Sequence, residues 1–259
     1  MYDNLEYMRK KKTVVITGGN RGIGLGITKV FLKNNYIVIV GSRGPIAEDL
    51  NNFKNSIIHL KIDVKKEDDH IKIAKLAIDK TGRLDCYINN AGYSKWKPIE
   101  KIDNLFLSEI IETNLKGVFW GCKAASLYLN SKNSSIINIS SIAGKRGSSN
   151  NSAYVSTKFG VNGMTQSLSK ELGSKKIRVN AVCPVLVKTK GLISALEESD
   201  APGNKGAVNF IKDFTKTNSP LMRMPIAEEI GEMCLFLSSD SASAITGQCI
   251  NVDCGVLPQ

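Results

Sequence analysis

Tyr154 and Lys158 stand four residues apart, and Ser141 precedes the tyrosine by thirteen. Four residues are about one helical turn, so the two side chains leave the same face of a helix. An ammonium held near a phenol favours the phenolate and lowers the phenol's pKa. A free tyrosine titrates near ~10 and exchanges protons poorly at neutral pH. One moved toward ~7 can pass a proton to or from a substrate oxygen. A Y-x-x-x-K spacing alone is most often a surface pair on a helix, so its meaning depends on the elements that carry it.

Those elements begin near the N-terminus. Residues 13–17 (TVVIT) are a β-branched apolar run, read as a buried strand. They lead into Gly18, Gly19, Asn20, Arg21, Gly22, Ile23 and Gly24, then into a stretch of helical periodicity. Strand, glycine turn and helix make a glycine motif meaningful. The glycines admit a pyrophosphate close to the backbone, and the helix start supplies free N–H groups and a positive dipole end. Further strand candidates are 36–40, 56–63, 84–89, 135–140, 177–183 and 249–252; helix candidates are 22–34, 67–81, about 103–130, 152–173 and 226–238. This alternation predicts an α/β fold: a doubly wound parallel (Rossmann) sheet of about seven strands with helices on both faces. The expected organisation is a basic tail over residues 1–11 and one domain over 12–259.

Composition sets the outer limits. A chain of 259 residues with 42% hydrophobic and 23% charged content suits one soluble domain with a sizeable core. No apolar run approaches the ~18 residues of a membrane span, and the start has no signal-peptide h-region, so a cytoplasmic protein off the membrane is expected. None of the six cysteines forms a C-x-x-C pair, which reads as buried thiols in a reducing compartment. With two histidines, no histidine-based metal site is expected. The net charge of +11 is scattered and lacks aromatic interleaving, which argues against nucleic-acid binding.

In sum, residues 12–255 resemble the short-chain dehydrogenase/reductase family. The likeness is carried by residues 17–24 (TGGNRGIG), Asp63 and Val64, residues 89–92 (NNAG), Asn114, residues 138–141 (NISS), Tyr154 with Lys158, Pro184 followed by Thr189, and residues 245–252. The resemblance implies a nicotinamide-dependent oxidoreductase. It makes Tyr154 the general acid/base and Lys158 the lysine that tunes it and holds the nicotinamide ribose. Ser141 becomes the donor to the substrate oxygen, and Asn114 the support of a water in a proton relay. Ser141 is preferred to Ser140 because it has the matching offset and only one of two adjacent strand residues faces the site. The family pattern also places Asn90, Ala91 and Gly92 beneath the cofactor, Asp63 and Val64 at the adenine, and Pro184, Val187 and Thr189 at the carboxamide. It makes residues 190–223 a lid over the substrate. Two copies of such chains often pack their long helices together, here with Phe119, Trp120, Val161 and Met164, so a homotetramer is expected.

Cofactor choice follows from charge. NAD-dependent enzymes hold the ribose 2′-hydroxyl with a carboxylate ~20 residues past the glycines. Here that point reads Gly41, Ser42, Arg43, and Arg21, just before Gly22, is expected to clamp the same group from the other side. Guanidinium forks suit a phosphate, so NADP (NADPH) is expected ahead of NAD. Val185 and Cys254 stand where the family usually has glycine. Tyr93, Ser94, Trp96, Lys145, Arg146, Lys188 and Lys190 are candidate pocket residues, with Tyr93, Trp96 and Arg146 assigned to the substrate. Lys132 and Lys175 lie near positions where 3-oxoacyl-carrier-protein reductases dock the acidic carrier. The expected reaction is reduction of a carbonyl, foremost a 3-oxoacyl thioester linked to a carrier or CoA. A sugar or polyol dehydrogenase is the alternative enzyme, and a dinucleotide-sensing scaffold the alternative of another class.

Overall fold

The computed structural model describes Glu6 and residues 8–258. Of the expected tail, residues 1–5 and 7 lie outside the described residues, whereas Met8 is buried and its carbonyl accepts from the Lys11 amide at 3.2 Å. Met8 therefore packs onto the domain, while Arg9 and Lys10 stay exposed.

β-branched residues dominate the strands because they fit a pleated surface buried on both sides. Seven strands form one parallel sheet: β1 (Thr13–Thr17), β2 (Ile37–Ser42), β3 (Ile57–Lys61), β4 (Cys86–Asn89), β5 (Ser134–Ile139), β6 (Ile177–Pro184) and β7 (Cys249–Val252), in the order β3-β2-β1-β4-β5-β6-β7. Alternate residues of each strand serve opposite cores. On one face Val14, Ile16, Val38 and Val40 meet Ile27 and Phe31 of α1 (Gly22–Lys33) and Ile230, Cys234 and Leu237 of α8 (Ala227–Ser238). On the other, Val15, Ile39 and Tyr87 meet α2 (Glu67–Thr81), α4 (Gly117–Tyr128) and α5 (Ser152–Leu172).

Two expectations change. The helix predicted over about 103–130 is α3 (Asn104–Ile111), a π-helical turn (Glu112–Lys116) and then α4. Val161, expected at a surface between copies, is fully buried against the sheet, while Phe119 and Phe159 are half exposed. The α5 face carrying Val161 is the one the sheet needs for its own core.

Residues 190–223 are not a plain loop. They contain α6 (Lys190–Leu196) and α7 (Ala207–Asn218), which bury Ala195, Leu196, Ala201, Ala207 and Ile211 around the ring of Trp96. Lys101 Nζ meets Asp200 Oδ1 at 2.6 Å and Lys95 Nζ meets Glu198 Oε1 at 3.8 Å, tying the same segment to the strip after β4.

Candidate active site

Strand order reverses direction between β1 and β4. In open α/β sheets a ligand crevice lies at the carboxyl ends of the strands at such a point. The loops after β1, β4, β5 and β6 all leave from that end, which gathers residues distant in sequence.

The glycine loop after β1 is built for close approach. Gly18 has φ +66° and Gly22 φ +56°, a region that disfavours side chains, and a Cβ on Gly24 would lie 2.2 Å from the Gly18 carbonyl oxygen. No side chain caps the start of α1, so its first N–H groups remain available to an anion. The fit to a dinucleotide pyrophosphate is therefore good. Thr17 Oγ1 accepts from the Asn90 and Ala91 amides at 3.0 and 3.1 Å. The Asn90 side chain donates to the Thr17 and Gly18 carbonyls at 2.9 and 3.3 Å. Asn90 thus braces the glycine loop through its side-chain NH2 group.

At the β2 end, Ser42 is buried, and its hydroxyl lies 2.8 Å from the Gly44 carbonyl and 2.9 Å from His59 Nε2. Arg43 and Arg21 are exposed, and neither has a carboxylate partner among the described residues. Asn20 Nδ2 donates to the Pro45 carbonyl at 3.0 Å, joining the glycine loop to the Arg43 turn. Beyond β3, Asp63 Oδ1 accepts from the Lys65 amide at 3.1 Å and Val64 is half-buried beside it.

Tyr154 and Lys158 sit on one face of α5, opposite the end of β5. Lys158 Nζ donates to the Ile139 carbonyl at 2.8 Å and lies 5.7 Å from the Tyr154 ring centroid. Burial pushes the Tyr154 phenol up to about 12 and the Lys158 ammonium down to about 8. The expected lowering of the Tyr154 pKa by Lys158 is therefore not found. Desolvation disfavours both charged forms and outweighs an ammonium that is directed at a carbonyl. The nearby Ser141 hydroxyl pulls the phenol in the opposite sense, by less. Ser141 Oγ accepts from the Ala143 amide at 3.0 Å and reaches the Pro184 carbonyl at 3.4 Å. Ser140 is turned away, its hydroxyl donating to the Lys158 carbonyl at 3.3 Å.

Asn114 is fully buried within the π-helical turn. Its side chain accepts from the Tyr93 amide at 3.0 Å and donates to the Tyr93 carbonyl at 2.7 Å, so it clamps the segment that leaves β4. Gly92 runs beneath it, where a Cβ would lie 3.0 Å from Asn114 Oδ1. Thr189 caps α6 by accepting from the Leu192 amide at 3.2 Å, and Val187 is buried in the core next to it.

The expected substrate residues separate. Trp96 is packed into the interior of the 190–223 unit, at 8% exposure, and its edge lines a cavity with Lys95, Lys97, Phe106 and Glu198. The phenol of Tyr93 falls within the field of Arg43, Lys65 and Glu109, toward the β2–β3 side of the crevice. Arg146 is exposed next to half-buried Lys145. Spacing along the chain does not encode these directions. Two residues escaped sequence reasoning: His59, which a strand-parity count would have put on the same face as Ser42, and Asp200, whose partner lies 99 residues away.

The family profile described as Enoyl-(Acyl carrier protein) reductase matches residues 18–257. The 3-oxoacyl-[acyl-carrier-protein] reductase FabG of Chlamydia muridarum is 32% identical over 252 residues, 95% of this chain and 97% of the relative. The crystal structure of a glucose/ribitol dehydrogenase of the short-chain type from Brucella melitensis superposes with a TM-score of 0.84 at 31% identity, covering 96% of this chain and 97% of the other. Actinorhodin polyketide ketoreductase, solved with NADPH, gives 0.85 at 28% identity, covering 96% and 98%. The fold is common to this chain and both solved structures.

Proposed function

Because the chain belongs to the short-chain dehydrogenase/reductase family, and is thereby a nicotinamide-dependent oxidoreductase, we propose that it reduces a carbonyl to an alcohol with NADPH. The observation that carries this reading is the meeting of the Tyr154 phenol, the Ser141 hydroxyl and the Lys158 amine at the carboxyl end of β5. The leading substrate class is a 3-oxoacyl thioester, as in the name of the Chlamydia relative, and the basic residues Lys145, Arg146, Lys188 and Lys190 suit an anionic carrier or CoA group. A sugar or polyol is the second reading, favoured by the name of the Brucella structure and by the long lid.

When bound, NADPH supplies the hydride. The glycine loop and the start of α1 hold the pyrophosphate, Arg43 and Arg21 the 2′-phosphate, and residues 63–64 the adenine. Ser141 donates a hydrogen bond to the substrate oxygen. Tyr154 passes its proton to that oxygen as negative charge develops there. Burial keeps the phenol protonated at neutral pH, which is the form needed in the reductive direction. Lys158 anchors α5 to β5 through Ile139 and offers its remaining protons to the ribose. The lid of α6 and α7 closes over the substrate and excludes water.

We further infer a cytoplasmic homotetramer, with half-exposed Phe119 and Phe159 at a contact between copies. Among the described residues no helix is long and apolar enough to cross a membrane.

The test is a turnover screen of 3-oxoacyl thioesters and aldoses with both cofactors, alongside Tyr154→Phe. The variant should bind NADPH and lose activity by ~10²–10⁴-fold. A Tyr154→Phe enzyme that keeps more than about a tenth of the rate refutes the acid/base role.

A further inference from the structure

We propose that His59 is a positioning residue for 2′-phosphate recognition, acting through Ser42 on the turn that carries Arg43. The proposal rests on the reading that NADP is the preferred cofactor.

His59 lies on β3, paired with Val40 in the parallel register, and its side chain falls on the same face of the sheet as Val40 and Ser42. There its Nε2 comes within 2.9 Å of Ser42 Oγ. The same oxygen lies 2.8 Å from the Gly44 carbonyl, which can only accept. A hydroxyl has one proton, and that proton must serve the carbonyl. His59 therefore carries its hydrogen on Nε2 and donates to Ser42, giving a directed relay from His59 through Ser42 to Gly44.

This relay spans the residue of interest. Residues 42 and 44 are fixed from within, the Ser42 carbonyl accepts from the Ile62 amide at 3.2 Å, and Pro45 is held by Asn20 at 3.0 Å. Arg43 is the side chain left free in a turn fastened at every neighbour. A guanidinium fork recognises phosphate by direction as well as charge, so the fixed backbone beneath it sets how much of the ordering cost is met before the ligand arrives. Ser42 occupies the place where NAD-dependent relatives keep a carboxylate. The relay thus turns that position from a ribose ligand into a strut.

The experiment measures binding of 2′,5′-ADP and 5′-AMP by titration calorimetry, and kcat and KM with NADPH and NADH, for wild type, His59→Phe, His59→Gln and Ser42→Ala. One neutral hydrogen bond corresponds to roughly 2- to 12-fold. His59→Phe should weaken 2′,5′-ADP and raise the NADPH KM by about that factor, with kcat, the NADH KM and 5′-AMP binding unchanged. His59→Gln, whose amide can donate to Ser42, should restore most of the loss. If His59→Phe does not fold, Ser42→Ala breaks the relay at its centre and should give the same selective loss. Wild type that discriminates while His59→Phe and Ser42→Ala discriminate equally well overturns the assignment alone. Equal weakening of both nucleotides also overturns it, since that is general damage. Wild type that binds the two nucleotides alike overturns the NADP reading and this assignment together.

Discussion

Replacing Trp96 by alanine should loosen the lid while leaving the sheet intact. Of the buried side chains that make the lid's interior, only Trp96 comes from outside residues 190–223 among those described. The others are small or aliphatic: Ala195, Leu196, Ala201, Ala207 and Ile211. Truncating a buried tryptophan costs ~3–5 kcal/mol, less where the site can collapse. The lid is two short helices and can partly collapse, so the lower end applies. About 3 kcal/mol corresponds to a factor on the order of 100 in the opening equilibrium. The ion pairs Lys101–Asp200 and Lys95–Glu198 do not make up the difference, because exposed pairs contribute only ~0–1 kcal/mol each. Hydrogen exchange by mass spectrometry reads this directly. Amides of α6 and α7 should exchange up to ~100-fold faster, those of β1, β4 and β5 should not change, and the carbonyl-substrate KM should rise without a change in the NADPH KM. Unchanged exchange over 190–218 in Trp96→Ala would show that the lid stands without its anchor, and the argument would fail.

Three further outcomes are expected. Arg43→Ala should remove most of an NADPH preference of at least about tenfold, and Ser42→Asp should turn the preference toward NADH, because a charge-assisted pair is worth ~1.5–3 kcal/mol; kcat/KM with each cofactor decides it, and a wild type indifferent to the phosphate refutes it. Lys158 binds its proton less tightly folded, near about 8, than at its ordinary 10.5. The unfolded chain therefore carries more protons in that window, and wild-type stability should rise with pH from about 8 to about 10.5 relative to Lys158→Met, by on the order of 3 kcal/mol; parallel denaturation curves against pH would sink this. Phe119→Glu should lower the assembly state seen by light scattering, whereas a wild type that already runs as a 28.2 kDa monomer at micromolar concentration refutes the homotetramer.

Periodicity made the sheet legible, since runs such as TVVIT and CINV have no other sensible reading and their ends came out within a few residues. The crevice was legible too, because glycines and an i,i+4 pair are local features. What stayed hidden was direction. Trp96 follows residues 89–92 by a few places, and nothing in that spacing shows that its ring also packs among Ala195, Leu196, Ala207 and Ile211. Val161 looked like interface because its helix is long, yet the sheet claimed that face. The Tyr154 pKa was misjudged because spacing reveals that Lys158 is near, not that its protons point to Ile139 or that both groups are desolvated. Asp200 and His59 act through partners far along the chain, and such pairings exist only once the sheet and the lid are assembled.

The π-helical turn at Glu112–Lys116 has a consequence for how this chain can vary. A π turn contains one residue more than the α-helix around it needs, and each residue is about 100° of rotation. Point substitutions leave that surplus in place. Deleting one residue there would let the ladder close into a regular α-helix and remove the wider turn that carries Asn114. Asn114 could not then keep both its bonds to Tyr93, and the strip running from Tyr93 to Trp96 would lose its fixed end. The turn is thus a point where length is under constraint along with Asn114: natural relatives that keep an active crevice should hold the asparagine, vary more freely at its four neighbours and show hardly any gaps.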